Sequence, residues 1–544
     1  MNDFDIIVIG GGHNGLICGA YLSRYGEKVC VLERLPVLGG CASSEELIPE
    51  CPGFKFNRGG IDHINIHGTD IVKDLELEKH GLKYLWHDPL WFFPFPDGKS
   101  LTIHRNIEKT CEEVAKISIH DAKAYKELMD FWKVTLELIG PIDLCTPPAL
   151  STLIGGMQEK AAERVLKTLV SVPKIFIENR FESPHLRGVN GWWATQTAFP
   201  PTQIGSTLAL TLLPVSHFLG MARPEGGSGM LSIAAANVIE ANSGKVLKES
   251  KVNKIIIENS AAKGVELEDG RKIYAKNGVI SAIDAKRVFL NLVDHSQTPS
   301  SLLKKIKEIH VAPVSMCKVD VALNRKPIFE RYDHKDEYLI ATPTVAPSME
   351  YVENGWFDIN QGRPAKKPSM WCVCSSMLDT TMAPPGKHTL WLSQFAPRIL
   401  AGGKDWDRIK DSVAENMINT FAEYAPNVKD NVIAYHVTTP KDFEMRTGNI
   451  HGSAFHIDMT MDQSMGFRPI PEFGQYKTHI RKLYLTGSGT HPGGGITGIP
   501  GHNTAMEVLA DLGKKKRGLK LIDKFKTITG MLNAWRLYRK TYLR

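Results

Sequence analysis

One strand–turn–helix–strand unit at the N-terminus limits what this chain can fold into more than any other feature. Asp5-Ile6-Ile7-Val8-Ile9 is a short apolar run, and Gly10-Gly11-Gly12-His13-Asn14-Gly15 follows it directly. A helix-period stretch from Leu16 to Tyr25 closes at Gly26, and a second apolar strand, Lys28 to Leu32, ends in Glu33. Each part has a physical role. Gly10 permits the tight turn out of the strand, Gly12 lets the backbone come close to a pyrophosphate, and Gly15 lets the helix sit tightly on the sheet. The helix N-terminus offers unpaired N–H groups and a partial positive charge to the phosphates. Glu33, 21 residues after Gly12, is placed to accept hydrogen bonds from ribose hydroxyls and would repel a 2′-phosphate. A lone G-x-G-x-x-G is weak evidence, but strand, glycines, helix, strand and acid in this order predict a dinucleotide-binding Rossmann unit.

Two distant segments complete the pattern. After Glu33 come Arg34 and then Gly39, Gly40 and Cys41, which suits a chain folding back over a pyrophosphate. Residues 224–233 read Pro-Glu-Gly-Gly-Ser-Gly-Met-Leu-Ser-Ile, and β-rich segments follow, with a hairpin signal at Glu268-Asp269-Gly270. Near the C-terminus the strand Lys482 to Thr486 runs into a glycine-dense loop, Gly487 to Gly498, and a helix from Ile499 to about Leu512. In these stretches the chain resembles the FAD-dependent amine oxidase and phytoene desaturase superfamily, whose N-terminus reads V-I-G-x-G-x-x-G-L, then E-R/K, then G-G. Val8 to Leu16, Glu33-Arg34 and Gly39-Gly40 carry that pattern. The resemblance implies FAD as cofactor, held by Gly10, Gly12, His13, Asn14, Gly15, Glu33, Arg34, Gly39, Gly40 and Cys41. It also implies Val252 against the adenine, and Gly487, Gly498 and Ile499 at the flavin, where a helix N-terminus would stabilise an anionic reduced ring.

The fold implied is α/β: a Rossmann-like FAD-binding domain with an inserted α+β substrate domain. The expected FAD domain is discontinuous, comprising 1–70, 225–300 and 476–513. The substrate domain is expected at 71–224 and 301–475, and a basic amphipathic tail at 514–544. There is no second strand–GxGxxG–helix unit for NAD(P)H and no C-x-x-C dithiol, as a disulfide reductase of this architecture would need.

Gly487-Ser-Gly-Thr-His-Pro-Gly-Gly-Gly resembles the phytoene desaturase-related branch, which includes desaturase-like carotenoid ketolases. Asp379 to Gly386 and Thr439-Pro440 through Gly448 and Gly452 match the same branch. The resemblance implies an oxidoreductase that desaturates, isomerises or ketolates a hydrophobic carotenoid- or isoprenoid-like substrate by hydride transfer to flavin. A flavin amine oxidase, and a lipid-binding or assembly flavoprotein with little catalysis, stand as alternatives. The electron acceptor is left open between a quinone, oxygen and another redox protein.

The substrate side gives weaker signals. Trp192, Trp193, Phe199 and Phe218 are expected along a tunnel beside the flavin, although single aromatics most often pack a core. The charge-free run 188–222, broken by Pro200, Pro201 and Pro214, reads as one wall rather than a membrane span. His491 is the weak candidate for a catalytic group. His63 and His67 are four apart but lack a third ligand, so no metal is expected. The nine cysteines are few and scattered, which suits reduced thiols and a cytoplasmic setting. From Lys514 to Arg544 eleven Lys/Arg stand against one acid, so the net +7 is a property of the tail and the rest of the chain is slightly acidic. Leu519, Phe525, Trp535 and Leu543 interleave with that charge, which suits peripheral attachment to an anionic membrane surface. No motif points to nucleic acid.

Overall fold

The computed structural model describes residues 3–143, 147, 163, 166–168 and 170–514. Two seven-stranded sheets organise them. The first is built on parallel strands in the spatial order Leu483–Leu485, Lys272–Ser281, Phe4–Ile9, Val29–Leu32 and Lys245–Leu247. Strands Val252–Glu258 and Ala261–Leu267 extend it as an antiparallel hairpin on the first half of Lys272–Ser281. Ile6, Ile7 and Val8 have no exposed surface, as befits strands covered on both faces. Helices His13–Arg24, Met230–Ala241 and Ile499–Asp511 cover one face through Leu16, Leu22, Ala235 and Val508. Val288, Phe289, Ile306 and Phe473 cover the other. The α/β Rossmann-like architecture is therefore present.

The second sheet runs Val432–Thr438, Val314–Leu323, His388–Pro397, Met370–Val373, Thr342–Val345, Trp91–Pro94, Ser100–Ile103. It is antiparallel except where Thr342–Val345 meets Trp91–Pro94. Strand alternation sorts its central strand. Cys317, Val319 and Val321 join a core with Trp406 and Phe421 of helix Trp406–Ala422. Met316, Lys318 and Asp320, on the opposite face, meet Trp391 and the segment after strand Lys55–Asn57.

Several elements differ from the sequence reading. The first helix begins at His13 rather than Leu16, because Gly12 already has extended backbone and serves as its N-cap. The expected tunnel wall at 188–222 is three helical pieces, Pro184–Ala194, Ser206–Thr211 and Leu212–Leu219. Pro214 is tolerated because it falls in the first turn, where its missing N–H has no helical partner to lose. Among the described residues no helix is long and apolar enough to cross a membrane. Residues 515–544, on which the tail reading rests, lie outside the described residues.

Candidate cofactor and substrate site

Backbone packing builds the cradle. A Cβ on Gly15 would stand 2.3 Å from the Gly10 carbonyl oxygen and 2.9 Å from Ala282 Cβ, so the helix seats on the turn only with glycine there. Helix Ile499–Asp511 closes on the same turn, since a Cβ on Gly501 would stand 2.3 Å from the Asn14 carbonyl oxygen. Gly10 takes a left-handed φ of 103°. The Gly39 N–H donates to the Gly11 carbonyl at 2.8 Å, and an ideal Cβ on Gly40 would lie 3.5 Å from Gly12 Cα. The two glycine groups, separated in sequence by a helix and a strand, therefore lie side by side.

The space in front of this turn fits a dinucleotide. Nothing lies within 4 Å of an ideal Cβ on Gly12, and the helix start has no side-chain cap. An uncapped helix N-terminus behind open space is a phosphate seat. Asn14 Oδ1 and His456 Nδ1 are buried without hydrogen-bond partners. His13 keeps accessible surface although it lies deep in the molecule, as the wall of an internal space does. Burial pushes its imidazole down to about 4 and that of His456 to about 3, so both are neutral.

The acidic and basic residues of the cradle take more specific positions than the sequence indicated. Glu33 is buried and accepts the Gly11 N–H at 2.8 Å and the Leu35 N–H at 2.9 Å. Each oxygen keeps a lone pair for a ribose hydroxyl, so one carboxylate can brace the turn and meet the ligand. Ser250 N–H donates to the Glu33 carbonyl at 2.8 Å, bringing the half-buried Val252 alongside. Arg34 turns away toward helix Pro440–Thr447, where its Nη2 donates to the Met445 carbonyl at 3.0 Å and also to that of Arg446. Cys41 packs by its carbonyl against Gly59, and burial raises its thiol to about 11. It is an inert thiol at neutral pH.

The glycine loop near the C-terminus adjoins this cradle. Gly487 has φ 92°, and an ideal Cβ there would stand 2.8 Å from the Ala282 carbonyl oxygen and 3.0 Å from His456 Cε1. Gly498 takes φ 71° and packs on Ile17 and Ile71. The Ile499 N–H, expected to face the flavin, already donates to Thr497 Oγ1 at 3.1 Å. His491 is buried, and its carbonyl accepts the Tyr476 hydroxyl at 3.0 Å, which in turn accepts from Asn503 Nδ2 at 2.9 Å.

Residues 57–60 join the cradle to the second sheet. A Cβ on Gly60 would stand 2.3 Å from Ile496 Cδ1 of the loop. The Asn57 carbonyl accepts Lys318 Nζ at 2.9 Å and Trp391 Nε1 at 3.1 Å. Lys318 also pairs with Asp320 at 2.5 Å, and both side chains are fully buried. Burial lowers the Lys318 ammonium to about 8, with Asp320 opposing the shift. From Trp391 a row of indoles leads away. Trp371 lies 6.3 Å from Trp391 and 5.1 Å from Trp192, which lies 4.9 Å from Trp193, all between ring centroids. Trp371, Met316 and Phe395 keep accessible surface while packed among buried neighbours.

Of the aromatics singled out in the sequence, Trp192 and Trp193 are buried in this row, whereas Phe199 and Phe218 are half-buried and stand apart from it. His63 is fully buried, its Nδ1 lying 2.9 Å from Tyr84 OH and its Nε2 2.7 Å from the Ser228 hydroxyl. His67 meets Tyr84 edge-on and Trp86 at a tilt. Sequence reasoning missed His456, Arg446, Trp371 and the Lys318–Asp320 pair. Arg446 lay inside the Thr439-to-Gly448 stretch that carried the resemblance, but nothing local marks the others.

Comparison with known proteins agrees with this geometry. The family described as NAD(P)-binding Rossmann-like domain matches residues 8–69. Phytoene desaturase (lycopene-forming) of Paracoccus sp. is 26% identical, with 93% of this chain and 97% of that protein covered. Pyridine nucleotide-disulfide oxidoreductase domain-containing protein 2 of Mus musculus is 31% identical over 556 residues, covering 94% of each chain. The chain belongs to the phytoene desaturase-related branch of the FAD-dependent amine oxidase superfamily. It is an FAD-dependent oxidoreductase of that superfamily. One of the subunits of the limonene dehydrogenase of Castellaniella defragrans is 27% identical, with 94% of this chain and 95% of that protein covered. Among solved structures, an oxidoreductase from Methanosarcina mazei superposes with a TM-score of 0.59 at 17% identity over 93% of this chain and 99% of that one, a likeness of fold.

Proposed function

We propose that this oxidoreductase acts on an isoprenoid-like hydrocarbon, removing or rearranging hydrogen across its carbon skeleton. The observation that carries the reading is the indole row Trp391–Trp371–Trp192–Trp193, which begins at the Asn57 carbonyl beside the cradle. The indoles meet edge-to-face and Trp192, Trp193 and Trp391 are buried, so the apolar contact open to a substrate is made by the partly accessible Trp371 with Met316 and Phe395, by area and shape rather than by charge. Lys318, beside Trp391, is held by Asp320 Oδ2 and the Asn57 carbonyl, so the ammonium is engaged, while Asp320 Oδ1 is buried with no hydrogen-bond partner. Relatives whose names specify terpenoid chemistry, a limonene dehydrogenase and phytoene desaturases, match over nearly the whole chain and support the same class.

FAD, when bound, supplies a two-electron acceptor for hydride. The residues that would hold it are Gly10, Gly12, His13, Asn14 and Gly15 at the pyrophosphate, Glu33 at the ribose, Gly39, Gly40 and Cys41 folding over it, Val252 at the adenine, and Gly487 to Ile499 at the ring. The chain's own contribution is to bind and orient the hydrocarbon and keep water from the reacting carbon. Neutral His13 and His456 add no charge that would attract water or ions. The basic amphipathic stretch 514–544 supports delivery of such a substrate from a lipid surface.

The full-length protein, purified in mild detergent and extracted for mass spectrometry, is expected to yield FAD and a co-purifying isoprenoid. Recovery of FAD with polar amines in place of any hydrocarbon would overturn the substrate class and leave the cofactor intact.

A further inference from the structure

Helix Pro440–Thr447 belongs to the substrate side by sequence, yet its end is fastened to the cradle by arginines. Arg34 Nη2 donates to the carbonyls of Met445 and Arg446, the last groups of the helix. Gly448, in the left-handed region at φ 70°, ends the helix, and an ideal Cβ there would stand 2.3 Å from Arg287 Nη1. Arg446 in turn reaches Glu45 Oε1, which also accepts Ser43 Oγ at 3.0 Å and Arg58 Nε at 3.2 Å. Ser43 and Glu45 lie in the stretch that follows Gly39-Gly40-Cys41, and Gly40 lies against Gly12.

Two features of this cluster lack a counterpart. Arg446 Nε is buried and has no hydrogen-bond acceptor. A buried donor on a charged group costs more than a neutral one when left unmade, so an acceptor is expected there. The charges are also unbalanced. The guanidinium groups of Arg34, Arg58, Arg287 and Arg446 outnumber by one the carboxylates of Glu33, Glu45 and Asp284, and Glu33 already serves two backbone amides. A dianion with several acceptor oxygens next to Gly12 would supply both the missing acceptor and the missing charge. A planar guanidinium is the side chain best matched to phosphate oxygens.

We propose that Arg446 is a phosphate-binding residue for FAD, delivered from the substrate side by helix Pro440–Thr447, so that cofactor binding tightens the hold of this helix on the dinucleotide cradle. The pyrophosphate accepts from Nε while Nη2 stays on Glu45. Arg446 is thereby a binding residue that couples cofactor occupancy to the position of the substrate-side sheet, whose edge strand Val432–Thr438 runs directly into the helix.

The test is equilibrium binding of FAD to the deflavinated full-length protein, followed by flavin fluorescence, with ADP as a competitor that carries the pyrophosphate without the flavin. Arg446→Met keeps the packed stem and is expected to weaken both FAD and ADP by about 10- to 100-fold, with Arg446→Lys between it and the wild type. The melting temperature of the deflavinated protein is expected to fall modestly in Arg446→Met, from the lost tie to Glu45, without accounting for the loss of affinity. Unchanged affinity for both ligands, with a lowered melting temperature, would overturn the proposal and make Arg446 a tie to Glu45 alone. If Arg446→Met does not fold, hydrogen exchange of the wild-type protein decides. ADP is expected to slow exchange across residues 440–452, and no change there contradicts the proposal.

Discussion

The dinucleotide cradle and the indole row are adjacent, yet they are built from different materials. The cradle is made by omission: Gly10, Gly12, Gly15, Gly39 and Gly40 leave out side chains so that backbone amides can meet a ligand. The indole row is made by addition, with Trp192, Trp193, Trp371 and Trp391 drawn from a helix and two strands far apart in sequence. The cradle is therefore specified by fixed spacings along one stretch of chain, and the row only by the assembled fold. The lesson is one of separability. Damage to the row should reduce stability and spare the cofactor, whereas damage to the cradle should remove the cofactor at a smaller cost in stability.

The sharpest break of that comparison is expected from Trp192→Ala. It empties a nearly fully buried indole site flanked by Trp91, Trp193 and Trp371, and should cost about 3–5 kcal/mol of stability. Denaturant unfolding is expected to show that loss while the flavin-to-protein absorbance ratio stays at the wild-type value. Coincident loss of flavin would mean that the two regions are one cooperative unit.

Gly15→Ala is the mirror experiment. The added methyl meets the Gly10 carbonyl oxygen at 2.3 Å and must push the turn from its place, costing about 1–3 kcal/mol of stability. The protein is expected to purify largely without flavin, and retention of a full complement would show that the turn's position does not govern the cofactor.

A third test is a pH dependence centred on His63, at the seam between the regions. Burial holds its imidazole at about 3, below the unfolded value near 6.5. The unfolded chain then binds the proton more readily than the native state. Stability is full above about pH 6.5 and falls by about 1.4 kcal/mol per pH unit as pH drops toward 3. Replacing His63 by Gln should reduce the slope by about 1.4 kcal/mol per pH unit between pH 6.5 and 4.5 in denaturant titrations. An unchanged slope would assign the dependence to the other histidines strongly lowered by burial, His13, His67, His217, His436 and His456.

The same contrast explains what was legible beforehand. Strand, glycine turn, helix and Glu33 could be read because each acts on residues within one short stretch, and the sheet carries them in that order. The second glycine loop could be read for the same reason. Arg34, by contrast, looked like a ligand residue, and only the fold shows it capping the far helix at Met445 and Arg446. Ile499 likewise has its N–H claimed by Thr497, a contact that spacing alone does not reveal. On the substrate side, Trp192 and Trp193 were visible as a pair, but their partner Trp371 comes from a strand nearly 180 residues away. Phe199 and Phe218 were equally apolar, but Phe199 follows the end of the tryptophan helix and Phe218 sits on a later helix, Leu212–Leu219, and both are only half-buried.

The central claim, a hydrocarbon-oxidising flavoprotein, is met most directly by anaerobic reduction of the bound flavin. The purified protein, free of oxygen, would be mixed separately with a cyclic monoterpene, a linear polyene and an aliphatic diamine, and its visible absorbance followed. The account expects bleaching with a terpene or polyene and none with the diamine. Bleaching by the diamine alone would contradict it and establish an amine oxidase on this fold.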